Sequence, residues 1–305
     1  MIDMITSFLS TDIRMATSLL IAALGLVYCS RAGIVNIGVE GMMLIGSLMG
    51  VVGSYYTGSA LMGALVAIGV NLIVSLVFAF FAVTIKADQN VIGTAINTFA
   101  TGLTVTVNRV IFGVGTSQNI AVFDRVAIPG LSKIPIIGEA VFNQAIPVYI
   151  ALIAVPVLWF ILMKTSLGLK IRSVGENPQA CDTVGINVYR VRYGTILFSG
   201  ALAGLAGAYV SLGPFISFTE DMIAGRGFIA LAAVVLGNYM PGGVLAATLI
   251  FGAASALQYR MQATAVSVPY QFWLMLPYII TIIAICLYRK SSNQAASSGK
   301  PYDKH

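Results

Sequence analysis

Residues 59–85 read SALMGALVAIGVNLIVSLVFAFFAVTI, 27 consecutive positions without a charged side chain. Wound as an α-helix rising 1.5 Å per residue, this run is about 40 Å long, enough to cross the roughly 30 Å hydrocarbon core of a bilayer. Apolar runs of similar character recur near 13–30, 34–55, 90–112, 145–163, 194–213, 227–240, 243–261 and 269–288. They fill most of the chain. Of 305 residues, 58% are hydrophobic and 9% charged, where a soluble domain carries about a quarter charged residues. These proportions exclude a soluble enzyme, a nucleic-acid-binding module and a disordered protein. They predict an all-α, polytopic transmembrane bundle in a cell membrane.

The spans from Gly227 to Met261 are separated by Pro241-Gly242-Gly243, which reads either as a tight turn or as a break in one longer helix. The count is therefore nine helices, with eight open. Placing the N-terminus outside and the C-terminus in the cytoplasm puts 11 of the 17 basic residues on the inner side, the bias that membrane insertion favours. Eight helices would put the basic tail outside, so nine is preferred. The stretch Met1 to Asp12 has two acids and no positive region, which predicts no cleaved signal peptide. Residues 1–290 then form the transmembrane domain, with an external loop at 113–144 and a cytoplasmic loop at 164–193. Residues 291–305, rich in Ser, Gln, Ala and Lys, are expected to be a disordered cytoplasmic tail. Cys29, Cys181 and Cys286 form no CxxC pair, so they read as reduced packing residues rather than a disulfide or metal set.

Within the cytoplasmic loop, Gly175 to Gly185 carries its own start and stop signals. Asn177 suits an N-cap, Pro178 the first helical position and Gly185 the left-handed residue after the end. The spacing predicts a helix of about two turns, too short to be stable alone in water. It is either a docking element for another protein or a surface turn. The chain has no Gly-x-x-x-x-Gly-Lys-Ser/Thr phosphate loop, so any ATP-driven function must borrow its nucleotide site.

Inside the membrane, Asn36 and Glu40 are four apart, which a helix would place on one face. A membrane-buried acid costs roughly 2.5–3.5 kcal/mol on insertion scales, so Glu40 either lines a polar path or bridges backbone freed by Gly38 and Gly41. Asn90 and Asn97 lie near one stripe of the fourth helix, as path residues or as interhelical glue. Gly200, Gly204 and Gly207 mark a close helix packing, within the chain or with a second subunit. His305 is the only histidine and no pair of membrane aspartates is available, which argues against an intramembrane enzyme. An ion-coupled secondary transporter would want acid or His relays in several helices and an inverted repeat, and neither is evident.

Five stretches carry a resemblance: Ala32 to Met43, Lys86 to Asn90, Gly175 to Ile186, Ser199 to Ala208, and Gly225 to Ala232. From about residue 13 to 288 the chain resembles the permease subunit of binding-protein-dependent ABC importers, in the family serving simple sugars, nucleosides and branched-chain amino acids. The resemblance implies that Gly175, Glu176, Asn177, Pro178, Ala180, Asp182 and Gly185 belong to an ATPase-contacting segment. Sugar permeases commonly have Gly-Gly-Ile-Asp-Leu-Ser-Val-Gly where this chain has Gly33-Ile34-Val35-Asn36-Ile37-Gly38-Val39-Glu40-Gly41. That form resembles the nucleoside subgroup, with ribose-type sugars as the alternative. It implies a second permease chain as heterodimer partner, a separate ATPase, an external substrate-binding lipoprotein, no cofactor, and Asn36, Glu40, Asn90 and Asn97 along the substrate path.

Overall fold

The computed structural model describes residues 2–113, 120–128, 137–263, 270–287 and 293–303. Its helices are α1 (Ile2–Arg31), α2 (Val39–Thr57), α3 (Ala60–Ala79, prolonged by a π-helical turn Phe80–Thr84), α4 (Gln89–Phe112), α5 (Ile137–Phe142) and α6 (Ile146–Lys164). They continue as α7 (Ser166–Glu176), α8 (Pro178–Thr183), α9 (Val188–Leu212), α10 (Arg226–Leu236), α11 (Pro241–Ala263) and α12 (Tyr270–Leu287). Five segments, Met4–Arg31, Ala60–Thr84, Ile146–Lys164, Val188–Leu212 and Pro241–Gln262, are long and apolar enough to cross a membrane. The chain is a multi-pass membrane protein.

α9 sits at the centre, packed on α1, α2 and α3; its own Ala203 and, on α1 and α2, Leu24, Met43 and Leu48 are fully enclosed. The outward faces of α3, α6 and α12 expose Leu61, Ile73, Ile153, Phe160 and Ile282, apolar surface that matches lipid rather than water. The small-residue stripe explains the close centre. A Cβ on Gly200 would strike Ser75, one on Gly204 would lie 2.7 Å from the Ala67 carbonyl oxygen, and one on Gly207 would strike the Met43 carbonyl oxygen. The stripe therefore packs within the chain, against α3 and α2.

The Pro241 region is a turn. α10 stops at Leu236, Asn238 and Tyr239 take left-handed backbone (φ 55° and 56°), and α11 restarts at Pro241. α10 is thus an 11-residue half-helix, shorter than the 227–240 span expected. α2 also starts later than expected, at Val39, because Gly33 is left-handed (φ 84°) and residues 34–36 are not helical. The segment between α4 and α6 adds a small antiparallel pair, β1 (Arg125–Ala127) with β2 (Asn143–Ala145), to the all-α plan; its Pro129-Gly130 and Pro135 lie outside the described residues.

The tail overturns its expectation of disorder between 293 and 303. Ala295, Ser297 and Tyr302 are buried, Ser297 N–H donates to the Gly175 carbonyl at 2.9 Å, and Gly299 N–H to the Gly33 carbonyl at 3.0 Å. Composition misled because the tail is held through its backbone and not by an apolar face of its own.

Added volume against a backbone carbonyl should be expensive. Gly207→Ala is expected to destabilise the folded chain by about 1–3 kcal/mol, whereas Gly69→Ala, with nothing within 4 Å of the new Cβ, should be neutral within about 1 kcal/mol. Thermal unfolding in detergent, followed for both variants, checks the contrast.

Candidate functional site

The site grows from the broken start of α2. Val35 N–H donates to Gln89 Oε1 at 2.8 Å, and Asn97 Nδ2 donates to the Ile37 carbonyl at 3.1 Å while its Oδ1 accepts from Gly41 N–H at 2.8 Å. α4 therefore holds both sides of the helix start, satisfying backbone that neither water nor an intact helix can serve in a bilayer. Gly38 and Gly93 make the approach possible, since a Cβ on Gly93 would lie 2.8 Å from Gly38 N.

Glu40, in the first turn of α2, meets the first turn of α10. Its Oε1 accepts from Gly225 N–H at 2.7 Å and its Oε2 from Gly227 N–H at 2.6 Å. A helix N-terminus offers unpaired N–H groups and the positive end of its dipole, so a carboxylate is well placed there. Both glycines are needed: Gly225 has φ 82°, and a Cβ on Gly227 would lie 2.7 Å from Glu40 Cα and Oε2. α11 and α12 complete the node. Arg226 Nη2 donates to Tyr259 Oη at 3.1 Å and its guanidinium lies 4.8 Å from the Phe215 ring centre, a cation–π distance. Tyr278 Oη donates to the Ala224 carbonyl at 2.7 Å.

A cavity of about 510 Å³ opens beside this node, lined among others by Glu40, Asn97, Thr98, Thr101, Asp221 and Phe228. Its volume falls in the usual range of small-molecule sites. Phe228 is 46% exposed and offers an apolar ring face. The Thr98 and Thr101 hydroxyls donate back to carbonyls of α4 at 3.1 Å each, which leaves their oxygens able to accept.

Two of the four polar residues singled out on sequence are not in this cavity. Asn36 is 1% exposed, with Nδ2 directed at Met42 Sδ at 3.6 Å; residues 34–36 are not helical, so the four-residue spacing to Glu40 does not place them on one face. Asn90 is an exposed residue of the first turn of α4, where its N–H donates to the Asp88 cap at 2.8 Å. Asp88 accepts from Val91 N–H too, and so caps α4 rather than pairing with Lys86, whose ammonium meets Asp303. Asp221 and Phe228 were not among the site residues expected from the sequence. The available signal was Gly225-Arg226-Gly227 ahead of an apolar run, a helix start open enough to admit an anion. Among the described residues no cluster of His, Cys, Asp or Glu could hold a metal.

The loop segment forms as its caps predict. Asn177 Oδ1 accepts from Ala180 N–H at 3.0 Å, Pro178 opens α8, and Gly185 has φ 82°. Glu176, Gln179 and Ala180 are exposed, while Cys181 is buried with Val174 and Val188; burial pushes its thiol up, out of the reactive range. α7, amphipathic and capped by Thr165 Oγ1 accepting from Gly168 N–H at 3.3 Å, was not anticipated.

Over residues 8–285 the chain matches the family described as branched-chain amino acid transport system / permease component. It belongs to that family. It is 40% identical to the guanosine ABC transporter permease protein NupQ of Bacillus subtilis, over 95% of this chain and 94% of the other. It is 36% identical, over 95% and 94%, to the nucleoside ABC transporter permease protein NupC of Lactococcus lactis. A Haloferax volcanii permease protein named for glucose is 38% identical over 85% of this chain and 79% of its own. Among solved structures, a metal-chelate-type ABC transporter in an inward-facing conformation shares the fold, with TM-score 0.52 and 13% identity over 92% of this chain and 84% of that one.

The Glu40 geometry carries a direct expectation. Glu40→Gln turns one acceptor into an N–H₂ donor facing the donors of α10, and should destabilise the bundle by about 1–3 kcal/mol. The check is a lowered melting temperature in detergent for Glu40→Gln, with Thr98→Val as a cavity-lining reference that leaves stability nearly unchanged.

Proposed function

We propose that this chain is the membrane-spanning permease subunit of an ABC importer for nucleosides. The observation that carries the reading is the cavity at the Glu40–α10 node, in a chain that aligns along 95% of its length with a permease named for guanosine. Discontinuous helices whose ends meet inside a bundle are a recurrent way to build a transport site. Phe228 supplies a ring on which a nucleobase stacks, and Thr98, Thr101 and Asp221 supply groups for ribose hydroxyls. Glu40 and Asn97, both engaged with backbone, position the site rather than grip substrate.

In this reading nine segments cross the membrane, the seventh being residues 213–225, a run of turns and bends, followed by α10. The N-terminus is then outside and the C-terminus cytoplasmic, with 1–290 as permease domain, 113–144 external and 164–193 cytoplasmic. The chain has no ATPase activity of its own. A separate ATPase grips α8, a second permease completes the path, and an external lipoprotein delivers substrate. The glucose-named relative supports a second reading, an importer of simple sugars.

The test is uptake of labelled guanosine, uridine, ribose and glucose, with and without the gene, under ATP depletion or collapse of the proton gradient. Gene-dependent nucleoside uptake that needs ATP and survives gradient collapse is expected; sugar uptake alone would move the substrate class, and gradient dependence would overturn the importer. Ala180→Asp, on the exposed face of α8, should reduce uptake at least tenfold while the protein stays in the membrane.

A further inference from the structure

Residues 293–303 form a strap across one end of the bundle, and its anchors are unlike those of an adventitious tail. Two arginines hold its backbone. Arg31 Nη1 donates to the Asn293 carbonyl at 2.9 Å and Arg192, 1% exposed, donates through Nη1 to the Lys300 carbonyl at 3.1 Å. Ser297 N–H bonds Gly175 at the end of α7, Gly299 N–H bonds Gly33 between α1 and α2, and Asn293 N–H bonds Asn238 Oδ1 between α10 and α11 at 2.9 Å. The Asp303 carboxylate meets Lys86 between α3 and α4. Five separate parts of the chain are thereby tied together: the α1–α2 and α3–α4 junctions, α7, α9 and the α10–α11 turn.

The strap also builds the underside of α8. Tyr302, 5% exposed, packs with Val174, Cys181 and Val188, its ring 5.7 Å from that of Tyr189, and its hydroxyl is near enough to the Asp182 carboxylate of α8 to interact with it. A six-residue helix has too few internal hydrogen bonds to hold its own position, so its placement depends on what it rests on. Between the exposed rim of α8 and the strap runs a groove of about 420 Å³, walled by Glu176, Gln179, Ala296, Lys300 and Pro301. Its rim is polar and charged, the character of a protein–protein rim and not of a lipid-facing surface.

We propose that the strap is the second half of the docking surface for the ATPase subunit: the ATPase sits across the groove, touching α8 on one wall and residues 296–301 on the other. This rests on the ABC-permease reading above. The strap's role is positioning as well as contact, because the same element that meets the ATPase fixes α8 through Tyr302 and Gly175.

The test uses the transporter assembled with its own ATPase subunit in membranes, carrying a photo-crosslinking residue at Ala296, at Ala180 of α8, or at the lipid-facing Leu61. Crosslinks to the ATPase from both Ala296 and Ala180, and none from Leu61, are expected. A crosslink from Ala180 without one from Ala296 overturns the strap proposal and leaves the importer reading standing. No crosslink from either removes the docking reading and the strap with it. A functional arm uses Lys300→Glu, which keeps the carbonyl that Arg192 holds: substrate-stimulated ATP hydrolysis should fall at least fivefold with the permease pair still assembled, and unchanged stimulation counts against the proposal. Tyr302→Phe, which keeps the packing and loses the hydroxyl beside Asp182, should lower transport per ATP hydrolysed by at least twofold while ATPase retention holds; an unchanged ratio removes the positioning role.

Discussion

A helix that begins inside a bundle has up to four N–H groups and no water to receive them, and the Glu40 carboxylate is what lets α10 begin there. Two of those donors are spent on its two oxygens, at 2.7 and 2.6 Å, in surroundings where each unmet backbone group would cost several kcal/mol. The arrangement propagates outward. Glu40 must arrive from a helix that itself starts mid-bundle, so α2 needs its own holder, and Asn97 serves on both sides of that start. The glycines at 38, 93 and 227 follow from the same demand, since backbone must approach backbone and carboxylate without a Cβ between them, and Gly225 follows from its left-handed backbone.

Sequence patterns recovered what is local and what is repetitive. Apolar runs gave the membrane class and most helices, and Asn177-Pro178 with Gly185 gave α8 to within a residue or two, because caps act over three or four positions. Gly200, Gly204 and Gly207 announced a close contact, and only three-dimensional packing shows that α2 and α3 of the same chain fill it. The errors cluster where helical periodicity was carried through non-helical backbone. Asn36 was paired with Glu40 on a spacing that holds only in a helix, and residues 34–36 are not helical. The partners of Glu40 are main-chain N–H groups 185 and 187 residues away, which no side-chain pattern can display.

The tail failed for a related reason. Low hydrophobicity argues for disorder when burial must be driven by the segment's own apolar side chains. Here Arg31 and Arg192 supply donors to tail carbonyls, and a carbonyl is present whatever the residue. Only Tyr302 contributes a large apolar body, and one aromatic in a run of Ser, Ala and Lys does not alter a compositional average.

The two ends of α10 connect these regions. Its first turn carries the Glu40 bonds beside the cavity; eleven residues on, about 16 Å at 1.5 Å per residue, the backbone reaches Asn238 and Tyr239. Arg31 donates to the Tyr239 carbonyl at 3.1 Å with the same guanidinium that holds Asn293 of the strap, and Asn238 holds the Asn293 N–H. A short, rigid element thus stands with one end at the cavity and the other on the segment that supports α8. Hydrogen bonds at both ends of this half-helix therefore join the cavity to the strap: Glu40 receives its first donors, and Arg31 and Asn238 tie its last turn to Asn293.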